Sequence, residues 1–240
     1  MTHPVRIMFM EQAHAPFTET ALLSRLHPDE RARYRGFTHG PRRLSWLAGR
    51  ALMLAALEKI LGTADARALR SRESGGVAYG DGELHLNLSH SGGLLGVAFS
   101  SLPVGLDLEQ PRLRAAVRSA GRIFSAQETA WLDTLPAPER LDGFYSLWTL
   151  KEAACKAVEL TLWDCMKTAC FVPPEGRFSP QAPLPAGPWS CLYARLEPDW
   201  HLAVAVSGTA GPLEPSCWRL AADGSWHETA LVQPARLYAR

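Results

Sequence analysis

Apolar and acidic positions alternate along one short stretch of the chain, Val104–Glu109. A period of two is typical of a β-strand, so we expect Leu106 and Leu108 to face a core. Asp107 and Glu109 then project together from the opposite face. Two neighbouring carboxylates repel each other unless a cation lies between them, and a hard cation such as Mg²⁺ takes carboxylate and phosphate oxygens as ligands. The alternation therefore predicts a strand that carries part of a metal site.

A helical period follows about forty residues later, in residues 148–156. Residues 147–158 contain neither proline nor glycine, and Trp148, Glu152 and Lys156 recur every four residues on one predicted helix face. This face offers a third carboxylate and an ammonium group. Taken singly, the two stretches are explained more simply by an edge strand with solvated acids and by an ordinary Glu–Lys pair. Their proximity in the sequence favours a common site.

Further apolar patterns predict the remaining elements. Residues 42–61 carry an apolar stripe of helical period that Gly62 closes, which predicts a long helix. Gly49 lies inside it and costs roughly 1 kcal/mol relative to alanine, so we expect a close packing contact or a ligand approach there. Ser125 and Glu128 have the spacing of a capping box, which predicts another helix start. Runs of strand length lie at residues 5–10, 84–88, 94–99, 189–196 and 201–206.

Composition limits the classes of partner. The 240 residues include 25 Lys and Arg against 24 Asp and Glu, so no global charge favours nucleic acid or an anionic membrane surface. Any anion site must be local. Five cysteines without a C-x-x-C pair predict neither a disulfide framework nor a zinc site. The sequence shows no secretory signal or membrane-spanning apolar run, and we expect a cytoplasmic location.

Three ordered signatures of the chain resemble those of 4′-phosphopantetheinyl transferases of the surfactin-synthetase-activating type. They are residues 87–91 (Asn-Leu-Ser-His-Ser), 105–109 (Gly-Leu-Asp-Leu-Glu) and 148–156. The resemblance extends from about residue 26 to about residue 207. It implies an α/β (α+β) fold of two similar halves in a pseudo-twofold arrangement, each with a small, mainly antiparallel sheet packed on helices. We expect residues 1–102 to bind the coenzyme's phosphate and adenine, and residues 103–240 to carry the metal site and catalytic helix.

The same resemblance implies roles for individual residues. Asp107, Glu109 and Glu152 are expected to hold Mg²⁺, and Glu152, directly or through a metal-bound water, is the expected general base. Lys156 is expected to stabilise the charge of the leaving group. Coenzyme A is expected to bind through a wider set of residues, namely Arg50, Arg72, Gly76, Asn87, Ser89, His90 and Lys156.

Departures from the family pattern leave parts of this site open. Relatives commonly carry Gly-Lys-Pro near the adenine, whereas no lysine follows Gly76 in the turn at residues 73–76, so Arg72 is the expected substitute. Residues 159–162 replace the glycine-rich turn that usually follows the catalytic lysine, which leaves the path of the chain there open. On residue physics alone, Arg50 could be an exposed helix arginine, and a lone histidine such as His90 is commonly structural.

Together these expectations describe phosphoryl-type transfer, in which positioning and charge neutralisation dominate catalysis. A carrier-protein serine would attack the β-phosphate of coenzyme A, and 3′,5′-ADP would leave. We expect a monomer whose partners are coenzyme A and an apo acyl or peptidyl carrier domain of fatty-acid, polyketide or nonribosomal-peptide synthesis, with no nucleic acid or membrane partner. Two alternatives remain open: a metal-dependent nucleotide pyrophosphate hydrolase, and a non-catalytic scaffold that binds a carrier protein.

Overall fold

The protein, described here as a computed structural model, is defined over residues 2–73, 76–82, 84–112, 120–172 and 176–239. The turn predicted at residues 73–76 lies partly outside these ranges. The helices are α1 (Glu19–Arg25), α2 (Pro28–Arg35), α3 (Gly40–Leu61), α4 (Ala120–Ile123), α5 (Ala126–Thr134), α6 (Arg140–Ala157) and α7 (Leu162–Cys165). The strands are β1 (His3–Glu11), β2 (Leu69–Ser71), β3 (Val77–Tyr79), β4 (Leu84–Ser91), β5 (Leu94–Ser100), β6 (Val104–Glu109), β7 (Ala169–Val172), β8 (Arg177–Pro180), β9 (Trp189–Leu196), β10 (Trp200–Ser207), β11 (Leu213–Leu220), β12 (Trp226–Glu228) and β13 (Val232–Ala239).

The strands form three sheets. The first has seven strands in the order β12-β11-β1-β5-β4-β3-β2, and only its β1–β11 pair is parallel. The second has four antiparallel strands in the order β13-β9-β10-β6, and β7 pairs with β8 in the third. Mixed helices and small, mainly antiparallel sheets confirm the predicted α/β (α+β) fold class.

The two larger sheets pack on each other through a shared apolar core. Leu106 and Leu108 of β6 lie in this core, as their alternation predicted, together with side chains of β1, β5, β9, β10 and β11. Helix α3 packs on the outer face of the first sheet, and helix α6 packs on the outer face of the second. The layers therefore run helix, sheet, sheet, helix. Asp107 lies on the α6 side of β6, in contact with Lys156.

Strand pairing crosses the predicted division between residues 102 and 103. Strands β11 and β12 come from the end of the chain, yet they extend the first sheet, where β11 runs parallel to β1. The division of the chain into two separate halves stays a prediction. The last part of the chain completes the sheet that contains β1.

Several local predictions are confirmed. Helix α3 covers the predicted residues 42–61. An ideal Cβ on Gly49 would lie 2.7 Å from Leu88 Cδ2, which is the close packing contact expected for this glycine. Ser125 and Glu128 form the predicted capping box at the start of α5. None of the helices within the described ranges is long and apolar enough to cross a membrane.

The sequence predicted no disulfide framework, but one pair of cysteines is bonded. Cys155 of α6 and Cys165 of α7 form a disulfide, with their Cα atoms 6.2 Å apart. The turn between the two helices brings them together, whereas their separation of 10 residues matches no familiar cysteine motif. Cys170, Cys191 and Cys217 are buried free thiols.

Candidate active site

Strand β6 and helix α6 approach each other closely because β6 carries Gly105. An ideal Cβ at this position would lie 2.5 Å from the backbone N of Ala157, and closer still to the carbonyl O of Ala153. Both atoms belong to the backbone of α6, which cannot move aside as a side chain can. Only glycine permits such an approach. The contact places Asp107 beside the last turn of α6, where Lys156 lies.

Strand β4 meets the outer edge of β6 through side chains. Asn87, Ser89 and Ser91 each accept a hydrogen bond from a backbone N–H of the β6 chain, at residues 106, 108 and 110, over 3.0, 3.1 and 3.1 Å. The three accepting side chains alternate along β4, so they share one face of the strand. These bonds satisfy N–H groups that an edge strand would otherwise leave unpaired.

The two serines also orient the two acids of β6. Ser89 Oγ donates a hydrogen bond to Asp107 Oδ1, and Ser91 Oγ donates one to Glu109 Oε2, each over 2.9 Å. A hydroxyl carries one proton, so the donor of each serine is already used. The sequence predicted Ser89 as a coenzyme contact and gave Ser91 no role. Ser89 and Ser91 are two residues apart, as are Asp107 and Glu109. This shared spacing is the sequence signal that could have predicted the two hydrogen bonds.

A cluster of charged side chains lies where β6 meets α6. Lys156 Nζ lies 2.6 Å from Asp107 Oδ1 and 3.6 Å from Glu152 Oε2. Asp107 is only 4% exposed, and its Oδ2 atom is buried without a hydrogen-bond partner among the described residues. A buried carboxylate oxygen left without a partner is unfavourable and marks a position where a ligand can bind.

Burial and neighbouring charges shift the pKa values of Glu152, Asp107 and Lys156. Burial raises the pKa of Glu152 to about 7; the Lys156 ammonium opposes this rise, while the charges of Asp107 and Glu109 add to it. Burial also raises the pKa of Asp107 against the opposing effect of Lys156. Burial alone would lower the pKa of Lys156, but Asp107 and Glu152 raise it. Near neutral pH, Lys156 is thus charged while Glu152 exchanges a proton, the pattern of a base beside a fixed cation.

The cluster can be tested for its fit to a divalent cation. No three His, Cys, Asp or Glu side chains in the described part of the chain stand ready as a metal site. The donor set nevertheless fits a hard cation, because three mutually repelling carboxylates and a partnerless buried oxygen of Asp107 meet here. Mg²⁺ ligation by Asp107, Glu109 and Glu152 stays a prediction.

A cavity of about 230 Å³ opens beside the cluster, between the β3–β4 side of the first sheet and the end of α6. Four of the predicted coenzyme-binding residues line it, which are Arg72, Gly76, Asn87 and Lys156. His85 and Glu159, to which the sequence gave no role, line it too. The structure therefore brings residues of both signature regions around one space next to the charged cluster.

Arg50 is buried, whereas the sequence alone allowed it to be an exposed helix arginine. It is 3% exposed, and its guanidinium donates to Glu30 Oε2 over 2.7 Å and to Ser71 Oγ over 2.6 Å. Burial would raise the pKa of Glu30, but Arg50 and the Ser71 N–H lower it. The exposed-arginine alternative is wrong, and the phosphate contact of Arg50 stays a prediction.

The side chain of His90 is exposed on β4, next to the charged cluster. Desolvation and the Lys156 ammonium lower its pKa, while Asp107 opposes them. His90 is therefore neutral near pH 7 and offers a single N–H donor. Its contact with a coenzyme phosphate stays a prediction.

Sequence reasoning missed the buried anchor of α6. Lys151 Nζ lies 2.9 Å from Glu128 Oε1 and donates to the carbonyl oxygens of Met166 and Ala169 over 2.6 and 2.5 Å. Both charged side chains are fully buried. These contacts hold one side of α6. Glu152, the next residue, lies on the side of the helix that faces the charged cluster.

Comparisons with known proteins identify the family. Residues 103–205 match the family model described as ACPS, the 4′-phosphopantetheinyl transferase superfamily. This range contains the whole charged cluster of β6 and α6. The chain is 35% identical over 141 residues to the 4′-phosphopantetheinyl transferase AcpT of Salmonella typhimurium, a match that covers 56% of this chain and 68% of that protein.

Two further relatives carry the same activity in their names. The chain is 29% identical over 152 residues to the 4′-phosphopantetheinyl transferase Sfp of Bacillus subtilis, covering 62% of this chain and 67% of Sfp. It is 30% identical over 112 residues to the 4′-phosphopantetheinyl transferase gsp of Aneurinibacillus migulanus, covering 47% of each. The matches thus span from about half to two thirds of these relatives. The chain belongs to the 4′-phosphopantetheinyl transferase superfamily, which confirms the resemblance in its sequence.

Proposed function

We propose that this chain transfers the 4′-phosphopantetheine group of coenzyme A to a serine of an apo acyl or peptidyl carrier protein and releases 3′,5′-ADP. The observation that carries the proposal is Asp107, a buried acid with a partnerless oxygen, held against Lys156 beside an open cavity. Family membership supports the same reaction. In the reaction, the serine oxygen bonds to the β-phosphorus, and the bond from that phosphorus to 3′,5′-ADP breaks.

Each residue of the cluster has a chemical task in this proposal. Glu152 accepts the serine proton, because a pKa of about 7 suits a base that works near neutral pH. The Lys156 ammonium lies in the cluster and stabilises the negative charge that develops on the leaving 3′,5′-ADP. Ser89 and Ser91 fix the orientation of Asp107 and Glu109, so the site requires little reorganisation as charge develops.

Asp107, Glu109 and Glu152 would hold Mg²⁺ in the working enzyme. When bound, Mg²⁺ would neutralise charge on the pyrophosphate of the coenzyme. The protein's part is to gather these three acids. Burial raises the pKa of Asp107, and burial together with the charges of Asp107 and Glu109 raises the pKa of Glu152.

Coenzyme A is proposed to occupy the cavity beside the cluster. Arg72, Gly76 and Asn87 line it from the first sheet, and Lys156 lines it from α6. His90 is proposed to donate to a phosphate from the exposed end of β4, and Ser89 is proposed to lie within reach of the same ligand. For Arg50, a contact with the 3′-phosphate requires exchange of its present partner, Glu30.

The proposal includes the oligomeric state of the protein and its location in the cell. We propose a cytoplasmic monomer that meets its carrier domain transiently, and the nearly balanced charge of the chain supports neither nucleic acid nor an anionic membrane as a partner. Light scattering after size-exclusion chromatography should give the mass of one chain. A stable dimer would contradict the monomer.

The direct test is incubation with coenzyme A, Mg²⁺ and several purified apo-carrier proteins, followed by intact-mass spectrometry. We expect one carrier to gain the mass of a single phosphopantetheine group, and its serine-to-alanine variant to gain nothing. Cleavage of coenzyme A without a carrier would instead indicate a pyrophosphate hydrolase. Carrier binding without any cleavage would indicate a scaffold, and either outcome contradicts the proposal.

A further inference from the structure

An ion pair between two distant parts of the sequence borders the cavity beside the active site. Arg72 follows β2, Glu159 follows α6, and their side chains form a close salt bridge. Both residues line the cavity. The side chains are 40% and 33% exposed, so the pair lies at the mouth of the cavity rather than deep in the core.

The backbone holds Glu159 in an unusual conformation. Its φ of 58° is left-handed, and among the described residues it is the one non-glycine residue with a positive φ. A side chain in this region costs roughly 1–2 kcal/mol, and such conformations cluster at functional sites. The Glu159 N–H donates to the carbonyl of Lys156 over 3.2 Å. This bond holds the backbone of Glu159 one turn beyond the lysine of the charged cluster.

The negative charge of Glu159 also opposes the positive charges of the other residues that line the cavity. Arg72 and Lys156 contribute cations to the lining, while Glu159 is the one acid among the described lining residues. Burial and the nearby Arg72 lower the pKa of His85, so this histidine adds no charge near neutral pH. An anionic ligand that enters the cavity therefore finds Arg72 already paired with the carboxylate of Glu159.

We propose that Glu159 is a specificity-determining residue whose carboxylate competes with ligand phosphate for Arg72. A phosphate group must displace this carboxylate to reach Arg72, so the ion pair weakens the binding of phosphorylated nucleotides and leaves the binding of uncharged nucleosides unchanged. The inference rests on the proposed function, in which this cavity receives the nucleotide part of coenzyme A. An exposed ion pair contributes at most about 1 kcal/mol, so its displacement lowers affinity by about two- to fivefold.

The test is calorimetric titration of the intact protein with 3′,5′-ADP and, separately, with adenosine at low ionic strength. Glu159→Gln should bind 3′,5′-ADP about two- to fivefold more tightly than wild type and bind adenosine no more tightly. About 0.5 M NaCl should remove most of the difference, because the screening length then falls to a few ångströms. Equal or weaker binding of 3′,5′-ADP by Glu159→Gln would overturn the inference.

Two further variants keep the test decisive. Glu159→Gly removes the carboxylate and relieves the left-handed backbone, so it should fold at least as well as wild type and show the same gain in affinity. In an Arg72→Gln background, Glu159→Gln should lose its gain, because the contested cation is absent. A gain that persists there would contradict competition for Arg72.

The outcome also separates this inference from the proposed function. If wild type binds 3′,5′-ADP but both Glu159 variants bind it no better, only the competition is wrong. If neither 3′,5′-ADP nor coenzyme A produces heat or raises the melting temperature of wild type, the cavity is not a coenzyme site and both proposals fail.

Discussion

Two buried ion clusters, one on the α3 side of the molecule and one on the α6 side, differ in how fully their charges are satisfied. Arg50 bonds to Glu30 and Ser71, and the pKa of Glu30 is lowered despite its burial. Asp107 bonds to Lys156 but keeps one buried oxygen without a partner among the described residues, and its pKa is raised. The two acids thus shift in opposite directions.

The difference separates structure from function. A carboxylate whose pKa is lowered on folding stabilises the native state at neutral pH, whereas one whose pKa is raised is destabilising while it remains ionised. Glu30 therefore contributes to stability, and the burial that lowers the pKa of Arg50 offsets part of that contribution. Asp107 is kept at a cost in stability, which is typical of a site that awaits a ligand. Variants of the two clusters should accordingly change different properties.

The largest effect is expected for Asp107→Asn. Removing this charge should slow carrier modification by about a thousandfold, because a predicted metal ligand beside the reacting phosphate is lost. The melting temperature should stay near that of wild type, since the ionised acid is not stabilising. Single-turnover mass spectrometry and thermal unfolding give the two values. A fast but unstable variant would reverse the assignment of the two clusters.

The opposite result is expected for Glu30→Gln. It leaves Arg50 buried without a counter-charge and should lower the free energy of unfolding by about 3 kcal/mol in urea titrations. The matched control is Glu58→Gln, which removes the half-exposed partner of Arg25 and should cost less than about 1 kcal/mol. Equal losses in both variants would show that burial of Arg50 does not govern the effect.

Two glycines extend the comparison to the helix contacts. Gly105→Ala should cost about 2–3 kcal/mol, because the added Cβ meets the backbone of α6. Gly49→Ala should cost less than about 1 kcal/mol, because it meets only the end of the Leu88 side chain, and alanine favours the helix. Urea unfolding of both variants is the measurement. A larger loss for Gly49→Ala would contradict the close packing of β6 on α6.

The smallest effect is a shift with pH. Protonated Glu152 can neither accept a proton nor hold a cation, so activity should fall about tenfold per pH unit below about pH 7. Saturating Mg²⁺ should move this midpoint to lower pH, because the cation competes with the proton for the carboxylate. Rates at two Mg²⁺ concentrations test this. A midpoint that does not move would remove Glu152 from the ligand set.

Local pattern was sufficient to predict much of the fold. The alternation of Leu106 and Leu108 predicted a strand with one buried face, and the spacing of Glu152 and Lys156 predicted their shared helix face. Both signals lie within a few residues, where backbone geometry fixes which side chains are neighbours. The resemblance to a family then indicated that strand and helix meet, and the bond from Lys156 to Asp107 agrees.

Long-range pairing could not be predicted in the same way. The parallel pairing of β1 with β11 joins the two ends of the chain, and no local period encodes it. Arg50 and Glu30 lie on different helices, so neither helix pattern indicates their salt bridge. The Cys155–Cys165 disulfide depends on the turn after α6, which brings the two cysteines together. In each case the decisive contact depends on packing of elements already formed.

Asp107 is proposed to belong to a cation site that works with bound coenzyme. Titration with Mn²⁺ in place of Mg²⁺, followed by electron paramagnetic resonance in the presence of coenzyme A, tests it most directly. Wild type should bind one Mn²⁺, and Asp107→Asn should bind it at least about tenfold more weakly, since a carboxylate ligand is lost. The control Glu214→Gln, which alters an exposed acid on β11, should behave as wild type. Equal Mn²⁺ affinity in wild type and Asp107→Asn would contradict the claim.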